Sequence, residues 1–188
     1  MHEFLPISNI DHALIKEARE QVELFKKSAL KIKDIDAIVS PTLSSLKPRE
    51  GIALDIYRSL DKRYWEFCRC SKLLNTSEVL FYGGSTPNIL HVVPPSFTKS
   101  EKDPLSLENA YWNLLECAKE HLILSLAFPP LERKREEYPS YLAVPIAFKT
   151  IAKWLLMNAE YPLSILFCVE DEKEYAYYRK FYNKFMNH

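Results

Sequence analysis

Short apolar runs bounded by turn residues, alternating with helical stripes, constrain this chain more than any other feature. Ala37-Ile38-Val39 follows Asp36 and stops at Ser40-Pro41, a β-branched run too short for a helix and suited to a buried strand. Val22–Phe25, Asn88–Val93, Ile123–Phe128 and Leu163–Val169 read the same way, and Glu78–Tyr82 joins Asn88–Val93 through a Gly83-Gly84-Ser85 hairpin break. The intervening segments have helical spacing. Ile52, Ala53, Ile56, Tyr57 and Leu60 form one stripe over Gly51–Leu60, and Leu107, Tyr111, Leu114, Ala118 and Leu122 form another after Asp103-Pro104. Ser140 is placed to cap a helix carrying Ile146, Ala147, Thr150, Ile151, Trp154 and Leu155, with Pro145 inside it. Asp171 with Glu174 opens a last helix bearing Tyr175, Tyr178, Phe181 and Phe185, and Asp11 opens a first one with Leu14, Ile15 and Ala18. Alternating β and α elements of this kind imply a three-layer α/β/α domain around a central mixed, largely parallel sheet. Ligands of such folds bind beyond the carboxyl ends of the strands, so the loops after Val39 and Phe128 are the ones to inspect.

Composition narrows the function. A chain of 188 residues predicts one domain over 1–188, with 1–21 as an N-terminal helical extension. Lys+Arg 25 balances Asp+Glu 25, so no global field draws in nucleic acid or an anionic membrane. Nucleic acid and membrane are therefore not expected partners, and no apolar run approaches the ~18 residues of a membrane span. Only three glycines occur, which makes glycine-rich phosphate cradles scarce. The start, MHEFLPISNIDH, lacks the basic and apolar regions of a secretory signal, predicting a cytoplasmic or nuclear protein. Cys68, Cys70, Cys117 and Cys168 include one CxC pair without a second pair or a His at zinc spacing, so they read as reduced thiols, with no metal and no cofactor expected.

Taken in order, several segments resemble the macro domain, an α/β/α module that binds ADP-ribose and in many members hydrolyses its derivatives. DAIVSPTLSSL at Asp36–Leu46, followed by GIALDIYRSLD from Gly51, is similar to the family's first ligand loop and helix, usually DAIVNAAN and a glycine-rich stretch. ILHVVPP at Ile89–Pro95 resembles its IIHVVGP strand. LENAYWNLLECAKEHLILSLAFPPL resembles the helix and strand ending in a SIAFPAI-type sequence, YPSYLAVPIAFKTIAKWL the next helix, and LSILFCVEDEKEYAYY the final strand and helix. The resemblance covers Val22 to Tyr178.

It implies a ligand site and, residue by residue, a changed one. The family's adenine-binding Asp falls at Ser28 or Ala29, neither a carboxylate. The two Asn of NAAN fall at Ser40 and Leu43, and Leu43 cannot hydrogen-bond a ribose or orient a water. Of the first loop's glycines Gly51 remains, next to Ile52. STGVFGYP aligns with Glu132-Arg133-Lys134-Arg135-Glu136-Glu137-Tyr138-Pro139, so both glycines there are charged residues, and the aromatic near the adenine falls at Glu170.

Arg133, Lys134 and Arg135 can be read as a phosphate clamp replacing lost backbone amides, or, preferably, as a solvated loop neutralised by Glu132, Glu136 and Glu137. Lys26, Lys27, Lys31 and Lys33 read more readily as a wet edge than as an RNA strip. The aromatics Tyr175, Tyr177, Tyr178, Phe181, Tyr182 and Phe185 read as core packing or, more sharply, as an exposed patch for a protein partner. Tyr64 and Trp65 beside Cys68 and Cys70 admit the same two readings, with packing preferred. The functional expectation is binding without hydrolysis, of ADP-ribose or a related nucleotide weakly, or of a protein. The alternative is an active ADP-ribosyl hydrolase or ADP-ribose phosphate phosphatase using Ser40, Thr42, Glu50 or Glu132.

Overall fold

A computed structural model of the chain describes residues 16, 18–48, 50–95, 104–131 and 139–187. Its strands are β1 (Val22–Phe25), β2 (Ala37–Pro41), β3 (Val79–Tyr82), β4 (Asn88–Val92), β5 (Ser125–Phe128) and β6 (Ser164–Cys168). Its helices are α1 (Gly51–Ser59), α2 (Lys62–Cys70), α3 (Pro104–Glu120), α4 (Ser140–Met157) and α5 (Glu172–Asn187), with a 3-10 turn at Ala29–Lys31. Lys16 and 18–20 are also helical, whereas Asp11, Leu14 and Ile15 of the expected first helix lie outside the described residues.

The strands form one sheet in the order β1-β6-β5-β2-β4-β3, parallel throughout except for β3, which pairs antiparallel with β4. Period-two alternation divides the side chains between two layers. Val39, Leu90, Phe128 and Phe167 join the core under α3, α4 and α5, whereas Ile38, Ile89, Ala127 and Leu166 join a second core under the 3-10 turn, α1 and α2. Burial on both faces explains why the strands read as apolar runs.

Several boundaries differ from expectation for local reasons. Ile123 and Leu124 precede β5, the Ile123 amide turning back to the Ala118 carbonyl at 2.9 Å and the Leu124 amide to Asp36 Oδ2, and α3 ends at Glu120, with Leu122 left-handed at φ 56° and 79% exposed. Ser140 does not cap α4: it is the first helical residue, Pro139 takes the cap position, and the Pro139 carbonyl accepts from the Leu142 and Ala143 amides at 2.8 and 3.0 Å. By length and composition α4 could cross a membrane, contrary to the expectation that nothing would. Ala143, Val144, Ala147, Ile151, Trp154 and Leu155 are each at most 1% exposed, so that hydrophobicity is spent on the core of this layer. The aromatic excess of α5 resolves likewise. Tyr178 is fully buried, Tyr175, Phe181, Tyr182 and Phe185 pack against the core, and Tyr177 at 45% is the one large exposed aromatic, so the six do not form an exposed patch.

The helix missed in the sequence is α2. Asp61 caps it, its Oδ1 accepting from the Arg63 and Tyr64 amides at 3.0 and 3.3 Å, and Tyr64 and Cys68 at i, i+4 turn inward. Those were the available signals, masked by the charged residues between them.

At the amino edge of the sheet Asp36 ties three strands. One oxygen, Oδ2, accepts from the backbone amides of Leu124 and Ser125, both at 2.9 Å, while the Ser125 hydroxyl accepts from the Asp36 amide. The Asp36 carbonyl accepts from both the backbone and the side-chain amide of Asn88 at 2.9 Å. Asp36→Ala is expected to destabilise the fold by about 2 kcal/mol, the loss of two charge-assisted bonds in a solvated setting. Asp36→Asn, which keeps an acceptor but not the charge, should lose about half as much. Urea denaturation of both variants checks this, and equal losses would contradict the charge-assisted reading.

Candidate functional site

After β2 the chain moves outward to β3 and β4, and after β5 it moves the other way to β6. The adjacent carboxyl ends of β2 and β5 therefore make a topological switch point, where loops diverge and leave a crevice. At this carboxyl edge the parallel strands β1, β2, β5 and β6 lead into the described residues 26–31, 42–48, 129–131 and 169–171.

The expected ligand residues of three of these segments fall along the one edge. Ser28 is buried at 9% and Ala29 completely, at the start of the 3-10 turn, where their carbonyls accept from the Lys31 and Ile32 amides at 3.0 and 3.1 Å. Ser40 is 1% exposed in the body of β2, in register with His91 of β4. Thr42 is 5% exposed, and its amide donates to the Val92 carbonyl at 2.8 Å, extending the β2–β4 ladder. Leu43 is half-buried and opens a turn in which its carbonyl accepts from the amide of Leu46, left-handed at φ 55°. The Ser44 carbonyl accepts from the Leu74 amide at 2.9 Å, fastening the loop to the chain after α2.

Gly51 opens α1 at φ 64°, a conformation that disfavours side chains, although a Cβ there would meet nothing within 4 Å. Its glycine is thus required by backbone angle, not by crowding. Ile52 packs against the second core. Glu50 precedes α1 with extended backbone and makes no side-chain cap, and the first turn carries no acidic residue. Among the described residues the amino end of this nine-residue helix thus has no side-chain cap from Glu50, and its dipole favours negative charge. Glu170 is exposed after β6, next to Val169, whose amide donates to Phe25 at 3.0 Å, and Asp171, which caps α5. Glu132, Arg133, Lys134, Arg135 and Tyr138 lie outside the described residues.

Of the two interior histidines, His91 is level with Ser40 near the carboxyl end of β4, whereas His121 is at the opposite edge. His121 lies between α3 and β5, at the amino edge, with Nδ1 2.9 Å from the Cys117 carbonyl and its ring on Phe81. His91 is 1% exposed beneath α2, its ring stacked 5.7 Å from Tyr64 and 6.1 Å from Phe67, and neither ring nitrogen has a partner. Burial pushes its pKa down to about 4, so it is neutral at physiological pH. Burial also raises the Tyr64 hydroxyl and the Cys68 thiol, which keeps both protonated. No group of His, Cys, Asp and Glu suited to a metal ion occurs among the described residues. Among the described residues this edge pairs no nucleophile with a base.

Residues 39–147 match the model of the Macro domain family, and the chain belongs to that family. It is 29% identical over 169 residues to an uncharacterized protein of Fusobacterium nucleatum, covering 88% of this chain and 96% of that one. It is 28% identical over 179 residues to the human ADP-ribose glycohydrolase MACROD2, covering 92% of this chain but 41% of the relative, so the two correspond over less than half of the human protein. Among solved structures, the macro domain of ganglioside induced differentiation associated protein 2 superposes with TM-score 0.83 at 21% identity, over 100% of this chain and 98% of that one. A Trypanosoma brucei macrodomain in complex with ADP-ribose gives 0.77 at 23%, over 85% and 68%. The three-layer fold expected from the sequence is that of these neighbours.

Proposed function

We propose that this macro domain works by binding, taking ADP-ribose or a related nucleotide at the carboxyl edge of its sheet without hydrolysing it. In this reading the diphosphate lies at the amino end of α1, where the Glu50 side chain makes no cap and the helix dipole favours negative charge. Leu43 carries the non-hydrolytic part. The resemblance puts an Asn there, and a leucine side chain neither hydrogen-bonds a ribose nor holds a water for attack. Ser40 and Thr42 offer little compensation, since both are almost fully buried. The bound Trypanosoma brucei structure supports the choice of ligand, as its fold is shared over most of this chain.

The similarity to MACROD2 favours a second reading, hydrolysis by another route, with the exposed Glu50 as the carboxylate at hand. The two separate in an assay on a mono-ADP-ribosylated protein and on ADP-ribose phosphate. No release of ADP-ribose or phosphate above the buffer rate is expected, while excess ADP-ribose raises the melting temperature. Release that disappears in a folded Glu50→Ala variant would establish the hydrolase instead.

A further inference from the structure

A groove of about 570 Å³ opens on the α1/α2 side of the molecule, between α2 and the outer side of the 45–48 segment. Trp65 and Tyr57 stack there, with ring centroids 5.7 Å apart and planes inclined by 19°. The Trp65 indole N–H donates to the Tyr57 carbonyl at 2.7 Å, yet the side chain is 41% exposed. An exposed tryptophan ordinarily turns its N–H to water. Here that polar edge is tied inward, so the part that meets solvent is apolar ring, already fixed in orientation.

The charges around this platform are chiefly positive. Lys47, Lys62 and Arg69 line the groove against one carboxylate, Glu66, which pairs with Lys62 at 3.7 Å. Lys47 and Arg69 make no ion pair among the described residues. A fixed aromatic face beside two uncompensated cations complements a flat ring that carries a phosphate: stacking supplies the ring contact and the cations the anion contact.

We propose that this groove is a second binding site, for a nucleoside phosphate, whose base stacks on Trp65 and whose phosphate lies between Lys47 and Arg69. Trp65 and Arg69 belong to α2, whereas Lys47 stands on the loop after β2 that also borders the strand-end site, so the Ser28 and Glu170 amides are needed to tell the two sites apart. AMP, adenosine and inorganic phosphate serve as probes, read through the indole N–H resonances of Trp65, Trp112 and Trp154 and the backbone amides. The expected result is a saturable shift of the Trp65 indole with AMP, with Trp154 unmoved and adenosine and phosphate each weaker by at least about tenfold. Combining Lys47→Ala with Arg69→Ala should weaken AMP by about tenfold or more while the remaining spectrum stays native. A Trp65 signal that stays still to about 10 mM AMP overturns the proposal. So does AMP that moves the Ser28 and Glu170 amides and not Trp65, since it would then occupy only the crevice.

Discussion

Acidification from about pH 7.5 to about pH 4 is expected to remove about 3 kcal/mol of stability through His91 alone, a loss that His91→Leu abolishes. The ring is 1% exposed, enclosed by Tyr64 and Phe67 of α2, with Cys68, Tyr82 and Cys168 the other buried titratable groups of the same core. All of these are neutral at physiological pH and none accepts a proton from a charged imidazole, as both ring nitrogens lack partners. The folded-state pKa is about 4 against an ordinary 6.5, so between those values the unfolded chain binds the extra proton. Stability is therefore complete above about pH 6.5 and declines as the pH falls toward 4. Carboxylates titrate in part of the same range, so the measurement is the difference between wild type and His91→Leu in urea unfolding across pH. The variant should lie within about 1 kcal/mol of wild type at neutral pH, because it gives up ring stacking and two unpaired buried nitrogens together, and should be the more stable near pH 4. Parallel pH curves for the two proteins would contradict the buried, unpaired geometry.

Trp154→Ala is expected to destabilise by about 3–5 kcal/mol, a large share of the ~5–15 kcal/mol of an ordinary domain. Trp154 is completely buried in α4, its indole N–H donates to the Glu116 carboxylate of α3, and its ring meets Tyr161 edge-on at 6.2 Å. Tyr161 in turn donates its hydroxyl to the Ile123 carbonyl at 2.7 Å, just before β5. Truncation opens a cavity at the α3–α4 seam and leaves Glu116 without its donor, two effects that act in the same direction. Trp154→Phe separates them: it keeps most of the packing and should destabilise by about 1–3 kcal/mol through the lost hydrogen bond and smaller ring. Urea midpoints at unchanged slope measure both. A loss below about 1 kcal/mol for the alanine variant would mean that the seam closes around the gap.

The contrast between α2 and β2 shows what was legible in the sequence. Ala37-Ile38-Val39 declares itself because a strand buried on both faces admits only apolar residues. Helix α2 needs only Tyr64, Cys68 and part of Phe67 inside, so its remaining positions are free to be charged and hide the stripe. Ser140 misleads for a related reason, since a serine after Pro139 is compatible with either the cap or the first turn, and only backbone angles distinguish them. At the carboxyl edge, the expected positions of Ser28, Ser40, Leu43 and Gly51 follow from strand order and the family resemblance. The burial of Ser40, the commitment of the Thr42 amide to Val92 and the lack of a Glu50 side-chain cap on α1 depend on tertiary contacts that no spacing encodes. The groove at Trp65 was out of reach for the same reason: Lys47 and Arg69 are brought together only by packing the first loop against α2.

Calorimetric titration of the protein with ADP-ribose tests the central claim most directly, with the thermal shift at millimolar ligand beside it. Saturable binding accompanied by a rise in melting temperature, with the ligand recovered intact, is the predicted result. No heat and no shift at millimolar ADP-ribose would contradict it, and would mean that the carboxyl edge of this macro domain no longer forms a nucleotide site.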